Sequence, residues 1–294
     1  MKIGIYGQFY HQNAGKYIAE LLELLDRENV EVLIEENFLD LINLNKTIDK
    51  EYSHFHTFRE LDETYDLFFS IGGDGTILKS INYIKDLNIP IVGINTGRLG
   101  FLATIQKEEI GETIHTILDR HYSISARTVL CLETNPESSD SSLNNVALNE
   151  IAVSRKNTTS MITVETWLND QYLTSYWADG LVVSTPTGST GYSLSCGGPV
   201  ITPDAGSLVI TPIAPHNLNA RPLVIKDDTK ITLKVSGREN SHLVSMDSRI
   251  ATLKNNTEII IRTAPFTVNM VELKGDSFLQ TLRKKLLWGE DRRN

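Results

Sequence analysis

Cysteine, excess positive charge and long apolar runs are all scarce in this 294-residue chain. The two cysteines, Cys131 and Cys196, lie far apart and lack metal-ligand spacing. That excludes a disulfide framework and suits a reducing compartment. No apolar stretch approaches the ~20 residues that a helix needs to cross a bilayer. The opening Met1-Lys2-Ile3-Gly4-Ile5-Tyr6-Gly7 is too short and Gly-broken for the apolar core of a secretory signal. There are 28 Lys and Arg against 37 Asp and Glu, a net charge of −9. Such a balance argues against nucleic acid or an anionic membrane as partner, while leaving room for a local basic pocket that takes a phosphate. What is present is ordinary: 40% hydrophobic and 22% charged residues can bury a real core, and the length has room for two domains. A cytoplasmic globular protein is expected.

The first hundred residues alternate strand and helix patterns. Residues 2–7 read as a strand, 15–27 as a helix with Ile18, Leu21, Leu22 and Leu25 on one face, and 31–35 as a second strand. A third strand over 66–71 precedes a helix over 76–87, with Ile77, Ile81 and Ile84 in one stripe; a fourth strand spans 89–95. Near-continuous apolar strands between helices imply a parallel sheet covered on both faces. Right-handed crossovers then set the strand ends along one rim.

The pattern changes near residue 104. One more helix is expected over 108–119. Short strands follow at 123–133, 148–154, 161–167, 172–178, 180–184, 207–211, 230–235, 243–247, 258–262 and 267–273. Strands of this length between Asn, Asp, Gly and Ser turns predict an all-β, sandwich-like domain. The expected division is therefore an α/β domain over 1–103 and a β domain over 104–273, with 274–294 returning to the first through a helix over 278–288. The Ser- and Asn-rich stretch 135–145 reads as a surface loop and 292–294 as a frayed tail.

Chemistry concentrates in a few segments. Gly72-Gly73-Asp74-Gly75-Thr76 follows a buried strand and opens a helix. Its glycines admit a bulky anion close to the backbone, and α/β sheets bind ligands beyond the carboxyl ends of their strands. An acid in that place points to proton removal or metal binding, although Asp-Gly is also an ordinary turn pair. Thr185-Pro186-Thr187-Gly188-Ser189-Thr190-Gly191-Tyr192-Ser193-Leu194-Ser195 offers hydroxyls and exposed N–H groups that suit a sugar or phosphate. It lacks the Gly-Lys-Ser/Thr of a Walker A loop. Asn149-Glu150 and Asp179 supply groups for a ribose hydroxyl or a base edge, but as isolated pairs they are common turn dipeptides. Lys79, on the helix after Asp74, is within reach of a phosphate or simply solvated; Arg98 and Arg249 share that ambiguity. His216 has no nearby His or Cys partner for a metal site and reads as a structural or ligand-facing histidine. Trp167, Tyr172 and Tyr176 read as strand-face packing, and Trp177 as packing or a pocket wall.

Together these segments resemble the NAD kinases. The matching pieces, in the family's order, are Gly72-Gly73-Asp74-Gly75, Asn95-Thr96-Gly97-Arg98-Leu99-Gly100-Phe101-Leu102, Asn149-Glu150 and the block 179–199. Pro215-His216-Asn217-Leu218, Arg221-Pro222 and Asp247-Ser248 extend the match. The resemblance implies a Rossmann-like domain, a β-sandwich domain and a site between them in a homo-oligomer, dimeric or tetrameric. It implies that Asp74 takes the proton from the adenosine ribose 2′-hydroxyl of NAD, and that this oxygen attacks the γ-phosphoryl of ATP to give NADP. It further implies that Gly75, Asn149, Glu150, Asp179, Thr190, Gly191, Tyr192, Ser193, Leu194 and Ser195 contact NAD. Lys79 would be a phosphate-side contact, and Ala214 and Arg249 are further candidate contacts. A divalent cation, Mg²⁺, would assist, with no residue of the chain assigned as its ligand.

Three positions depart from the family's pattern. Gly191 stands where Ala is usual, which loosens the loop. Thr76 and Trp177 occupy positions that vary with phosphoryl donor (ATP alone, or also polyphosphate): Thr76 leans toward broad donors, and Trp177 matches neither pattern. Two rival readings share the acidic turn or the binding set: a lipid kinase, and a non-catalytic NAD-binding sensor.

Overall fold

The computed structural model describes residues 1–8, 14–28, 30–45, 48, 52, 54–97, 99–137, 145–157 and 160–287. Two compact units divide the chain, Met1–Ala126 with Val268–Asn294, and Arg127–Thr267. In chain order the first reads β1 (Lys2–Gly7), α1 (Ala14–Arg27), β2 (Glu31–Glu35), α2 (Glu36–Asn43), β3 (His56–Phe58), β4 (Leu67–Gly72), α3 (Asp74–Ile84), β5 (Ile91–Asn95), β6 (Ile105–Gln106) and α4 (Ile110–Leu118). Its strands are parallel, in the order β3-β2-β1-β4-β5. The sheet grows one way from β1 to β3 and the other way from β4 onward, so its switch point lies between β1 and β4. Every residue of β4 and β5 is buried, as strands covered on both faces require. Ile3, Ile5, Ile34, Phe69 and Ile94 form a core with Ile18, Leu21, Leu22 and Leu25 of α1.

The helix α2 and the strand β3 have no counterpart in the sequence expectations. α2 begins directly after β2, and its cap is Glu35, whose carboxylate accepts from the Phe38 N–H at 2.9 Å. Glu is an uncommon cap beside Ser, Thr, Asp and Asn, so no sequence signal announced the helix. The unit boundaries also differ from the expected 103/104 and 273/274. Residues 105–118 belong to the first unit because β6 pairs in parallel with β5, while Ile110, Ile114 and Ile117 of α4 enter the α1-side core.

The second unit contains β7 (Tyr122–Asn135, entering from the first), β8 (Val146–Ala147), β9 (Glu150–Ser154), β10 (Ile162–Leu168), β11 (Gln171–Ala178), β12 (Gly180–Ser184) and the one-turn α5 (Tyr192–Ser195). It continues with β13 (Ser207–Ile213), β14 (Leu223–Lys226), β15 (Ile231–Ser236), β16 (Ser241–Met246), β17 (Arg249–Lys254) and β18 (Glu258–Leu273, whose end from Val268 belongs to the first unit). One antiparallel sheet runs β14-β13-β12-β9-β16-β17, and a second antiparallel group runs β11-β10-β15-β18. Val183, Ile210 and Val244 from the first share one core with Val164, Leu233 and Ile261 from the second. This is the expected sandwich. β18 is one 16-residue strand where two were expected. Pro265 lies within it, between the register with β15, which ends at Ile261, and the pairing of Met270 with Ile91 in β5.

The closing helix, α6 (Phe278–Leu286), is capped by the Ser277 hydroxyl. It joins the first unit, with the Phe278 and Phe101 rings 6.2 Å apart and Lys285 Nζ 5.7 Å from the Phe101 centroid. Trp288, residues 292–294 and most of the expected 135–145 loop lie outside the described residues. Among the described residues no helix is long and apolar enough to cross a membrane.

One buried group gives this fold a pH dependence. His242 on β16 is fully buried, with Nδ1 3.3 Å from Asn255 Oδ1, and burial holds its pKa below the usual value. The unfolded chain therefore binds a proton that the folded ring resists, so stability falls as pH drops below ~6.5. Melting temperatures at about pH 7.5 and about pH 5.5 should fall more for wild type than for His242→Gln; an equal fall would show that His242 is not the responsive group.

Candidate active site

In the first unit the rim at the switch point is built from the ends of β1, β4 and β5. β4 ends on Gly72, whose φ of 156° and whose space both require glycine: a Cβ there would lie 2.1 Å from Thr76 Oγ1. Gly73 and Gly75 are different, because a Cβ on either would meet nothing within 4 Å. They leave open space around the first turn of α3, where N–H groups without helix partners point outward.

Asp74 does not hang free in that space. Its Oδ2 accepts from the Phe101 N–H at 2.8 Å, and its Oδ1 accepts from Leu102 at 3.0 Å and Ala103 at 3.1 Å. The loop after β5 wraps this carboxylate so closely that a Cβ on Gly100 would lie 1.9 Å from Oδ1. The Thr96 N–H donates to the Gly72 carbonyl at 3.2 Å, tying the two loops together, and Asn95 Oδ1 accepts from Gly97 at 2.7 Å within the loop after β5. Three of roughly four carboxylate acceptor positions are filled, leaving one on Oδ2. Lys79 sits further along α3, its Nζ donating to Gln8 Oε1 at the end of β1 over 3.1 Å. The Thr76 hydroxyl is buried without a partner. Arg98 lies outside the described residues.

In the second unit the cluster centres on the start of β9. Thr185 Oγ1 donates to the Leu148 carbonyl at 2.6 Å, and the Thr185 N–H donates to the Asn149 carbonyl at 2.9 Å. Gly188 packs on this turn, where a Cβ would lie 2.1 Å from the Asn149 carbonyl oxygen. A Cβ on Gly191 would stand 3.3 Å from Glu150 Oε2 and 3.7 Å from Asn149 Nδ2. Asn149, Glu150 and the 191–192 backbone thus come together. Glu150 is buried, and its Oε2 has no partner. Burial, then the nearby Asp247 charge, pushes its carboxyl up to about 7, against a hydrogen bond from the Tyr192 backbone.

Most hydroxyls of the 185–195 loop hold the loop itself, so the expectation of a row of ligand donors is revised. Ser189 Oγ donates to the Pro186 carbonyl at 2.6 Å, Thr190 Oγ1 to Thr187 at 3.2 Å, and Ser193 is buried 2.8 Å from Thr211 Oγ1. Tyr192 and Ser195 are exposed on α5, and Leu194 is half-buried. Thr187 Oγ1 is buried and unpartnered.

Asp179, between β11 and β12, receives Arg155 Nε at 3.0 Å, a partner that no sequence signal flagged. Its N–H donates to the Ile213 carbonyl, which places it beside Ala214, an exposed residue at φ 43°. The His216 N–H donates to the Trp177 carbonyl, and their rings stand 4.3 Å apart. A cavity of about 370 Å³ opens here, lined among others by Tyr176, Trp177, Asn217 and Arg221. Arg249 opens β17 and donates to the Val146 carbonyl. Burial pushes its pKa down, opposed by Asp247.

A parallel α/β unit whose switch point carries a fixed acid between open glycines belongs among nucleotide-binding phosphotransferases. Comparison with known proteins narrows the class. Residues 3–122 match the ATP-NAD kinase N-terminal domain, and 148–273 match the ATP-NAD kinase C-terminal domain. A protein of Christiangramia forsetii described as an NAD kinase is 75% identical over 294 residues, all of both chains. One from Flavobacterium psychrophilum, also described as an NAD kinase, is 54% identical over the same span. The crystal structure of an NAD kinase from Archaeoglobus fulgidus in complex with ATP superposes with a TM-score of 0.71 at 25% identity, covering 97% of each chain. That of yeast NADH kinase complexed with NADH shares the fold, with a TM-score of 0.85 at 23% identity over 99% of this chain and 89% of that one. The chain belongs to the NAD kinase family and is a kinase enzyme. That sets aside the lipid-kinase and sensor readings.

Two substitutions probe this geometry. Gly100→Ala places a methyl group on Asp74 Oδ1 and should lower kcat at least ~100-fold if the carboxylate must stay where it is; a kcat near wild type would show that it need not. For Glu150 the folded pKa of about 7 exceeds the ordinary 4.5, so its contribution to stability is present below pH 4.5 and lost as pH rises through 7. Glu150→Gln should therefore melt higher than wild type at about pH 8 and gain little at about pH 5, read by scanning calorimetry.

Proposed function

We propose that the chain transfers the γ-phosphoryl group of ATP to the 2′-hydroxyl of the adenosine ribose of NAD, giving NADP and ADP, with Asp74 as the base. The observation that carries this reading is the Asp74 carboxylate, fixed by three amides at the start of α3 with glycine-lined space on either side. A sugar hydroxyl is a poor nucleophile, and a positioned base is worth ~10²–10⁴-fold. The remaining acceptor position on Oδ2 takes the ribose proton, while the amides keep the carboxylate from turning away as the charge moves. The N-terminal turn of α3 faces phosphate oxygens, aided by Gly75. Lys79 reaches them by exchanging its Gln8 partner for a phosphate.

In the second unit, Asn149 and Glu150 bind hydroxyl or base-edge groups of NAD; Asn149 both donates and accepts. The Glu150 carboxyl, with an unpartnered Oε2, is suited to a ligand hydroxyl. Gly191 and the backbone of 190–195 line the same substrate, with the Tyr192 ring exposed beside it. Ser193 contributes through its backbone, since its hydroxyl faces Thr211. Asp179, Ala214 and Arg249 complete the NAD contacts.

Among the described residues no group of three or more His, Cys, Asp or Glu is arranged to hold a metal, and three amides occupy most of the Asp74 carboxylate. The described residues therefore do not form a cage for Mg²⁺. A divalent cation would come with the phosphates of ATP, the usual habit of Mg²⁺. We further propose a cytoplasmic homo-oligomer, to be checked by light scattering. Incubation with NAD, ATP and Mg²⁺ should yield NADP, and Asp74→Asn should lower kcat by ~10²–10⁴-fold with the NAD KM little changed. An Asp74→Asn enzyme as fast as wild type would remove Asp74 from the chemistry.

A further inference from the structure

The hairpin between β16 and β17 turns on two residues, Asp247 and Ser248, because Met246 pairs with Arg249 across it. Two-residue hairpin turns favour positive φ at their first residue, and Asp247 has φ 52°. Its side chain turns inward to the residues that lead into β9. The Asp247 N–H donates to the Glu150 carbonyl at 3.0 Å. Its Oδ2 accepts from the Leu148 N–H at 2.9 Å, and its Oδ1 accepts from Asn149 at 2.8 Å and Glu150 at 3.2 Å.

These bonds complete an account of the backbone there. Leu148 is fully buried and Glu150 nearly so, and buried N–H groups need partners. The carbonyls of Leu148 and Asn149 go to Thr185. The three N–H groups go to Asp247. Without that carboxylate three consecutive donors would be left seeking partners beside a buried Glu150. Burial raises the Asp247 pKa, while the three amides and the Arg249 charge favour the ionised form that accepts all of them.

We propose that Asp247 is a positioning residue for dinucleotide binding: it gathers the N–H groups of Leu148, Asn149 and Glu150 on one carboxylate and so fixes where the Asn149 and Glu150 side chains point. The inference rests on the reading that these two side chains contact NAD. Asp247 touches no substrate in this account and acts only through the turn that it holds. Asp74 holds residues 101–103 by the same device, so both candidate clusters have a carboxylate that organises a run of amides.

The test is Asp247→Asn, which keeps the shape but replaces one acceptor oxygen with a donor. The NAD KM should rise at least about tenfold, with the ATP KM within about twofold of wild type. In a double-mutant cycle, Asp247→Asn should weaken NAD binding by a smaller factor in an Asn149→Ala background than in wild type, because part of its effect acts through Asn149. A parallel rise of both KM values, or losses that multiply in the double variant, would overturn the proposal. If Asp247→Asn unfolds, Asp247→Ser, which keeps one acceptor oxygen, takes its place in the same measurements. Should wild type bind NAD but form no NADP, the functional reading falls and this inference is still decided. Calorimetric titration with NAD then supports it if Asp247→Asn binds at least about tenfold more weakly, and overturns it if the affinities match.

Discussion

A carboxylate that collects consecutive backbone amides is the constraint on which both candidate clusters depend. Loops beyond strand ends have N–H groups that no ladder satisfies, and each one left unmet in a buried place costs roughly 1–3 kcal/mol. Two solutions are common: let water in, or let the loop move. This chain uses a third. Asp74 binds 101–103 and Asp247 binds 148–150, and charge-assisted bonds of this kind are about twice as strong as neutral ones. Amides held in this way suit phosphoryl transfer, where positioning supplies much of the rate.

The same constraint explains where the glycines fall. Gly100 lies against the Asp74 carboxylate and Gly188 against the Asn149 carbonyl, each leaving no room for a Cβ. Gly73 and Gly75 lie against nothing. Glycine thus serves two opposite purposes here, close packing behind the site and empty space in front of it. Pattern alone does not separate the two, since both read as Gly in a polar turn.

That distinction measures what was legible in the sequence. The acidic turn after β4 was readable because local chemistry announces it: a buried strand, then Gly-Gly-Asp-Gly, then a helical stripe. The sandwich was readable from strand length and turn composition. Asn149 and Glu150 were not readable as isolated residues, and only the order of the motifs around them gave them meaning. Hydroxyls of the 185–195 loop looked like ligand donors because a serine hydroxyl serves a backbone carbonyl and a sugar equally well. Helix α2 was invisible because Glu35 caps it, and the first unit's claim on α4 was invisible because packing partners distant in sequence leave no local mark.

Glu35 carries a consequence of its own. In a Rossmann unit an acid about 20 residues past the first strand's turn binds the ribose hydroxyls of a dinucleotide. Glu35, at the end of β2, stands in that place, yet its two oxygens are occupied by the Phe38 N–H and Asn37 Nδ2. The Phe38 ring lies where a Cβ on Gly7 would come within 2.4 Å. The corner used by dehydrogenases to choose between NAD and NADP is here filled and sealed by a helix. Exchanging the acid at the end of β2, the familiar route to altered cofactor choice in such folds, would in this chain remove the cap of α2.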